Sequence, residues 1–541
     1  MSLSGTKTGF LGASSYSADY DEKQAGLGID EPDASPRRSV SPALHPISAE
    51  LIHKGAEVLA LLRDIRIFDC LMNRWLETGD GILVIKPFYC IWINEIIREF
   101  GQVLAQHERV EQLYGLSELV WRNTQVPMRF TGKTSPEQYA LMATGNKLRW
   151  ESLGLIFTGV AILASSLSDW DSFFSENKER LVDRPTFTRR MRVSIEACIS
   201  YCKECEIMNE LFVALLYEST IVLETIRGDA YYGAWQRMGE TCDFIVMMGL
   251  HQEKRVDENT PFMICEMRKR LFELAYSHDK SIATFLEDIL ELSLGTSGDD
   301  IALRASQIRA RLQEIHQTMP DFMKANPEEV LNAIQPPSRT SSKTWHPDHM
   351  PLNVIYMLCI HCGMLHTEFE LERALVKRAK QTPKDLIPVA RRLLALVLHA
   401  MAKRDYLRDF TADLVCLLSL HGMPCAGVLA IELLKQEQSC EWTPDILPRS
   451  ETIQDLSVFI SALATVGPGE GNHAICNQGR RALKKILDKI LAPHPPSVST
   501  ALPPHQTALD TSLYFPTGND AEFLQWLENV EWEGGNWFHP V

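Results

Sequence analysis

The spacing of apolar residues constrains the fold of this 541-residue chain more than any other feature of its sequence. From Ile47 onward, apolar residues recur at intervals of three and four, as in Val58, Leu59, Leu62, Ile65, Phe68 and Leu71. This spacing places them on one side of an α-helix. Similar segments follow one another, and no run of alternating strands interrupts them. The sequence therefore predicts an all-α fold, built as a multi-helical array of packed helix pairs.

Glycine, proline and aspartate residues separate these segments and set their approximate ends. Before the centre of the chain, the predicted helices cover residues 88–106, 108–122, 136–168, 187–206 and 208–227. After it they cover residues 301–319, 352–378, 384–404, 405–420, 424–438, 450–465 and 472–491. Composition divides the chain into three regions. We predict a disordered N-terminal tail over residues 1–46, a helical body over 47–491, and a Pro-rich linker with an acidic aromatic tail over 492–541.

Net charge and cysteine content limit the class of protein. The net charge is −16 and the pI is about 5.5, and an acidic surface is repelled by the phosphate backbone of nucleic acids. The thirteen cysteines are scattered through helical patterns, which is typical of a reducing compartment. The uncharged run Leu153–Leu167 is short for a membrane span and predicts a buried helix instead.

Two groups of residues contain side chains that can bind metal ions. One group is Cys198, Cys202 and Cys205 on a shared helical face, and the other is Cys359, His361, Cys362 and His366 in an apolar helix. A structural zinc ion needs four ligands, and neither group has a partner cluster. Core packing is therefore favoured for both, and we expect no metal and no other cofactor in this chain. The sequence also lacks Gly-x-Ser-x-Gly, His-Glu-x-x-His and phosphate-loop motifs, which disfavours an enzyme.

The centre of the chain, residues 229–287, predicts two helices joined by a charged connector. In the first helix, the residues expected to face the core are Trp235, Met238, Cys242 and Ile245. Gly249 suits the left-handed position after a helix end, and Leu250 can then fold back onto the last turn.

The second central helix begins after Thr260 and Pro261, which suit a helix N-terminus. Its predicted apolar face contains Met267, Leu271, Leu274, His278, Ile282 and Phe285. The basic run Arg268-Lys269-Arg270 lies against this face. We interpret the run as structural, pairing with acids of neighbouring helices, rather than as a nucleic-acid contact. Single helical acids such as Glu210 and Glu218 are interpreted as ordinary solvated or paired residues.

These central residues carry a resemblance to a known family. The order Met248-Gly249-Leu250-His251, a charged connector, Arg268-Lys269-Arg270 and His278-Asp279-Lys280 resembles the middle homology region of fungal-specific transcription factors, which accompanies a binuclear zinc cluster. Two weaker matches, at residues 67–96 and 523–538, extend the coverage to residues 55–541. The resemblance implies structural roles for Trp235, Gly249, Leu250, His251, Arg268, Lys269, Arg270 and Asp279.

The chain departs from the family pattern at two places. The family continues after an Asp-Arg pair into Gly-Arg-Pro, whereas here Lys280 replaces the arginine and Phe285 is followed by LEDILELSLG. The family's zinc cluster is an N-terminal module of six cysteines, but the first cysteine of this sequence is Cys70. DNA binding is therefore not carried over from the family to this chain.

The resemblance implies a nuclear regulator of RNA polymerase II genes, in a family that commonly controls metabolic gene clusters. Its expected partners are coactivators or other transcription regulators, with homodimerisation through the helical body and no membrane association. A second hypothesis is a transcriptional cofactor that lacks DNA binding and works through a partner. An all-α enzyme is the least favoured hypothesis, since the sequence contains no catalytic constellation.

The C-terminal tail alternates acidic with large apolar residues. Beyond Lys489 the sequence contains six acids and no lysine or arginine. The apolar residues considered as activation anchors are Phe523, Trp526, Leu527, Val530, Trp532 and Trp537. This composition is typical of an activation motif, whose aromatic side chains become buried in a coactivator groove. The alternative hypothesis is a terminal helix that folds back on the body.

Overall fold

The computed structural model describes residues 46–77, 83–106, 110–229, 231–251, 260–294, 301–319, 324–334, 350–379, 383–439 and 443–492. Every regular element within these ranges is helical, so the all-α prediction is confirmed. Contacts divide the chain into two compact units, each with its own hydrophobic core. The first contains the residues up to Ile226 and Ala230–Asp279, and the second contains Arg227–Asp229 and the residues from Lys280 onward. The body predicted as one region over 47–491 therefore comprises two units.

The α-helices of the first unit are numbered in chain order. They are α1 (Ala49–Leu59), α2 (Ile65–Leu76), α3 (Lys86–Gln106), α4 (Tyr114–Gln125), α5 (Pro136–Ala140), α6 (Trp150–Ser166), α7 (Ser172–Glu176), α8 (Lys178–Leu181), α9 (Arg184–Glu204), α10 (Glu210–Arg227), α11 (Tyr232–Met247) and α12 (Phe262–Leu294). The residues of α12 after Asp279 belong to the second unit.

Helix α6 is the centre of the first unit. All of its residues except Ile162 are buried, which confirms the buried helix predicted from the uncharged run. Helix α9 packs along it. Gly154 allows α10 to approach closely, because an added Cβ would lie 2.5 Å from Leu215 Cδ2. A helix enclosed on all sides needs no polar face, and this explains the absence of charge from Leu153 to Leu167.

The helix predicted over residues 136–168 is wrong, because the chain is broken between α5 and α6. Thr144 is extended, with φ −145° and ψ 177°, and Gly145 has φ +58°. Glycine adopts this left-handed conformation without the steric cost of a side chain. The Thr144 hydroxyl donates to the carbonyl oxygen of Trp92 at 3.1 Å. After the break Arg149 is extended, and α6 begins at the next residue.

The helices of the second unit continue the numbering. They are α13 (Ile301–Thr318), α14 (Pro327–Ala333), α15 (Pro351–Ala379), α16 (Leu386–Ala402), α17 (Thr411–Cys416), α18 (Met423–Ser439), α19 (Arg449–Leu463) and α20 (His473–Leu491). Helix α16 packs against α15, α18 and α19, and its residues Leu393, Leu394 and Val397 are buried at the centre of this unit.

A π-helical turn over Leu417–Gly422 joins α17 to α18, where the sequence predicts two separate helices over 405–420 and 424–438. Pro424 has no N–H to donate to the carbonyl four residues earlier, and a wider turn before it accommodates this loss. Gly422 lies against Phe459, since an added Cβ would be 2.5 Å from Phe459 Cε2. The chain therefore passes from α17 into α18 without leaving the helical conformation.

One helical stretch in the described part of the chain is long and apolar enough to cross a membrane, by length and composition alone. It is Arg408–Gln438, which contains the π-helical turn. In the structure 78% of its apolar window is buried. The core helix of a soluble protein has the same composition, and this burial gives the stretch a role in the core of the second unit.

Candidate functional site

The end of α11 is built by the first part of the central motif. Gly249 has φ +67°, the left-handed conformation predicted for it. Its N–H donates to the carbonyl oxygen of Val246 at 2.9 Å, and the N–H of Leu250 donates to that of Ile245 at 3.0 Å. These two bonds form a Schellman motif, which satisfies carbonyls of the last helical turn. Leu250 packs against the core of the first unit, so both predicted roles are confirmed.

The prediction that Trp235 faces the core is wrong, because its side chain is 64% exposed. The buried residues of α11 are Ala234, Met238, Thr241 and Ile245. These residues recur at intervals of four, three and four, which continue one helical face. Trp235 also lies three residues before Met238. At 3.6 residues per turn, however, it lies about 60° around the helix from Met238, on the side away from Ala234 and Thr241. Its ring centroid instead lies 6.0 Å from that of Tyr232, which is also exposed.

Arg268 on α12 is the basic residue of the motif that reaches a buried acid. Its Nε and Nη2 atoms donate to Glu210 Oε1 at 2.7 and 2.5 Å. The Glu210 side chain is 4% exposed and that of Arg268 is 23% exposed. Glu210 is the first residue of α10, where the helix dipole also favours a carboxylate. The structural role predicted for Arg268 is confirmed, and Glu210 is paired as predicted.

The other motif residues lie at the surface or beyond the described side chains. Lys269 is exposed and pairs with Glu266 of its own helix at 3.3 Å, not with a neighbouring helix. Arg270 is exposed on α12, and His251 is exposed in the turn after α11. Asp279 lies in α12, and its side chain is outside the described part of the structure. Arg268 is thus the member of the basic run that contributes to the core.

The Glu210 site continues into a second buried acid through the N-cap of α10. Asn209 Oδ1 accepts a hydrogen bond from the N–H of Phe212 at 2.9 Å, as an N-cap side chain does. Asn209 Nδ2 donates to Glu151 Oε1 at 2.8 Å. Glu151 lies in the first turn of α6 and is fully buried. The two acids are therefore held at the facing ends of α6 and α10.

Arg149 uses all five of its N–H donors in this region. Its Nε and Nη2 atoms donate to Glu151 Oε1 at 3.0 and 2.9 Å. Its remaining bonds go to the carbonyl oxygens of Asn123 and Val126, both at 2.6 Å, and of Thr124, at 2.8 Å. These carbonyls lie at the C-terminal end of α4, where the regular helical bonds to the N–H four residues later stop. Arg149 therefore caps α4 while it neutralises Glu151.

Together these residues form one charge network, which we define as Arg149, Glu151, Asn209, Glu210 and Arg268. It contains two guanidinium groups and two carboxylates, and it connects α4, α6, α10 and α12. The roles of Arg149 and Glu151 were not predicted from the sequence. The available signal was a pair of opposite charges two residues apart, directly before the uncharged run Leu153–Leu167. The network holds four helix ends together, and it aligns no nucleophile with a base.

Two enclosed polar atoms lie beside the charge network. Glu151 Oε2 and the Tyr139 hydroxyl are buried and make no hydrogen bond within the described part of the chain. Burial raises the pKa of Tyr139, and the negative charges of Glu210 and Glu151 raise it further. The phenol therefore stays protonated.

Glu218 on α10 is a partly buried acid of the first unit that is held by hydrogen bonds from hydroxyl groups, so its interpretation as an ordinary solvated or paired residue is wrong. Its Oε2 accepts hydrogen bonds from the Tyr89 hydroxyl at 3.0 Å and from the Thr158 hydroxyl at 2.9 Å. No ion pair to Glu218 is present among the described residues. Burial raises the pKa of Glu218 to about 7, against the opposing effect of the two hydrogen bonds.

Three of the cysteines considered as metal ligands, Cys198, Cys202 and Cys362, pack in the two cores. Cys198 and Cys202 are fully buried on α9, and Cys205 is partly buried. Burial raises the pKa of all three thiols, to about 12 for Cys205, so they stay protonated. On α15, Cys362 is buried and Cys359 is exposed. Across the described ranges, no three His, Cys, Asp or Glu side chains are arranged to hold a metal ion.

The tail residues proposed as activation anchors all lie outside the described residues. They are Phe523, Trp526, Leu527, Val530, Trp532 and Trp537. Comparison with known proteins adds no assignment: no family model, no curated protein and no solved structure matches the chain.

Proposed function

We propose that this chain is a nuclear regulator of transcription by RNA polymerase II, with a helical regulatory body and an acidic activation tail. The observation that carries the proposal is that residues of the central motif have structural roles in the first unit. Gly249 ends α11, and Arg268 anchors α12 to the first residue of α10. Gly249, Leu250 and Arg268, three of the residues through which the chain resembles the fungal middle homology region, are thus residues on which the helical packing of the first unit depends.

The tail would supply contact with coactivators. Six acids and no cation follow Lys489, so the acids repel one another and favour an open segment. Phe523, Trp526, Leu527 and Val530 fall at helical spacing and can form one apolar face on binding. Aromatic side chains bury a large apolar area in such a groove, and they dominate the affinity of most interfaces.

A second candidate is a transcriptional cofactor that reaches DNA through a partner protein. The net charge of −16 favours it, because an acidic chain gains little from phosphate contacts. An all-α enzyme remains the least favoured hypothesis, because the sequence lacks the recognised catalytic motifs. A gel shift separates the two regulatory hypotheses: specific DNA binding by this chain at physiological salt would exclude the cofactor.

The experiment that tests the proposal is tethering of the full chain to a reporter gene through a foreign DNA-binding domain. We expect activation, and we expect it to be lost when the chain ends at Ala492 or carries Trp526→Ala with Trp532→Ala. Glu531→Gln is the matched tail control and should only weaken activation. A silent full chain that is expressed and folded would contradict the proposal. Unfolding of the body after removal of the tail would identify the tail as a structural cap.

A further inference from the structure

The second unit contains two histidines that face each other, and each has one buried ring nitrogen without a hydrogen-bonding partner among the described residues. His366 lies on α15, and His421 lies in the π-helical turn. Their ring centroids are 5.0 Å apart, with an interplanar angle of 71°. The Nδ1 atom of each ring is buried and makes no hydrogen bond within the described residues. An edge-to-face pair of this kind packs well when both rings are neutral.

The groups around the pair do not offset the cost of placing a positive charge on either ring. On α15, Glu370 accepts hydrogen bonds from Arg373 Nη1 at 3.1 and 3.2 Å, so its charge is already compensated. Burial lowers the pKa of His366, more strongly than Glu370 raises it. Burial also lowers the pKa of His421 well below its ordinary value, and His366 contributes in the same direction. Both rings are therefore neutral in the folded unit.

The other elements packed against the pair carry ionisable groups of their own. They include Cys362 on α15, Cys425 on α18, Asp413 and Cys416 on α17, Cys476 on α20, and Arg391, Arg392 and His399 on α16, together with Asp229, whose charge raises the pKa of Asp413 and Cys416. Burial raises the pKa of each of these thiols, so they remain neutral. Arg391 pairs with Glu451, and Arg392 pairs with Glu368. Burial raises the pKa of Asp413 to about 6, so this carboxyl gains a proton as the pH falls.

The π-helical turn is the element that can respond to a proton on either ring. A π-helical turn is rare and occurs frequently at functional sites. Here it is held by packing, with Leu417 and Leu418 in the core and Gly422 against Phe459. We propose that the His366–His421 pair makes the second unit proton-sensitive, such that proton uptake by either ring opens the segment Thr411–Ser439.

The direction of the effect follows from linkage. The folded segment holds the two rings neutral, whereas an opened segment exposes imidazoles that bind protons near pH 6.5. Lowering the pH through that value therefore favours the opened state, by about tenfold per histidine between pH 7.5 and 5.5. Asp413 acts in the opposite direction, because its buried carboxyl binds a proton more tightly in the folded state. Variants of the histidines separate the two effects.

Hydrogen–deuterium exchange of the full chain tests the proposal. After correction for intrinsic exchange rates, amides in Thr411–Ser439 should lose protection between pH 7.5 and 5.5, while those of α6 in the first unit keep it. His421→Phe and His366→Phe retain an aromatic ring without an ionisable nitrogen, and each should reduce the pH response by about tenfold. His399→Gln on α16 is the control and should leave the response unchanged.

Equal protection of Thr411–Ser439 at the two pH values would overturn the proposal. So would a loss of protection shared equally with α6, since that result describes acid unfolding of the whole chain. If one phenylalanine variant does not fold, the other still tests the same pair. An unchanged pH response in a folded variant would assign the proton uptake to other groups.

Discussion

Both units contain buried acids in ion pairs, such as Glu370 with Arg373 in the second unit, but the histidine pair of the second unit differs in kind from the charge network of the first. In the first unit, the charge network pairs Arg149 with Glu151 and Arg268 with Glu210. In the second unit, His366 and His421 are neutral rings whose Nδ1 atoms have no hydrogen-bonding partner among the described residues. Breaking a buried ion pair leaves an uncompensated charge, whereas an unpaired neutral imidazole is disturbed only by a proton. The charge network should therefore be sensitive to substitution of single charges, and the histidine pair to pH.

The largest effect is expected for Arg149→Met. The substitution leaves the buried Glu151 carboxylate without its cation and removes three hydrogen bonds from the end of α4. We expect a loss of about 4 kcal/mol or more in the free energy of unfolding of the first unit. Urea unfolding resolved by pulse-labelling hydrogen exchange measures that unit by itself. Arg122→Met, in an exposed ion pair of the same helix, is the control and should change stability by less than about 0.5 kcal/mol.

Arg268→Ala should destabilise the first unit by about 3 kcal/mol, because Glu210 remains buried without its counterion. The partial exposure of Arg268 places this value at the lower end for a broken buried pair. Lys269→Ala is the matched control on the same helix, and its exposed pair with Glu266 predicts a change below about 0.5 kcal/mol. Equal effects of the two substitutions on stability would mean that Arg268 contributes no more than an exposed surface residue such as Lys269.

Glu218→Gln tests how the stability of the first unit depends on pH, for comparison with the histidine pair of the second unit. A carboxyl whose folded pKa is raised to about 7 stabilises the fold below its unfolded value of about 4.5, and this contribution is lost as the pH rises toward 7. The neutral amide should therefore stabilise the first unit at pH 8 by roughly 2 kcal/mol and have little effect at pH 5. The readout is the melting temperature of the first unit across this range. If the variant is less stable than the parent chain at pH 8, ionisation of Glu218 costs the folded state little stability, which would contradict this prediction.

The smallest effect is expected for Trp235→Ala. An indole that is 64% exposed contributes little to the core, and the change in stability should be below about 0.5 kcal/mol. Met238→Ala, one turn further along the same helix, removes a buried side chain and should cost about 2–5 kcal/mol. Thermal unfolding of the two variants side by side measures the difference. A large loss of stability with Trp235→Ala would instead support the prediction from the sequence that Trp235 faces the core.

Local signals of the sequence were sufficient for part of this structure. Gly249 and Leu250 end α11 as expected, because a Schellman motif depends on adjacent residues. Trp235 was misplaced because spacings of three and four fit two neighbouring faces of a helix equally well. The charge network was missed because Arg149 and Arg268 lie far apart in the chain and meet only through tertiary packing. The histidine pair likewise depends on a π-helical turn, for which the sequence offers no periodic signal.

A double-mutant cycle between Arg268 and Glu210 tests most directly the claim that the central motif is structural. The free energy of unfolding is measured for the parent chain, Arg268→Ala, Glu210→Ala and the double variant. Because the two side chains form one buried ion pair, we expect a coupling energy of about 2 kcal/mol, with the double variant less destabilised than the sum of the single ones. Additive effects, within about 0.5 kcal/mol, would contradict this account of Arg268.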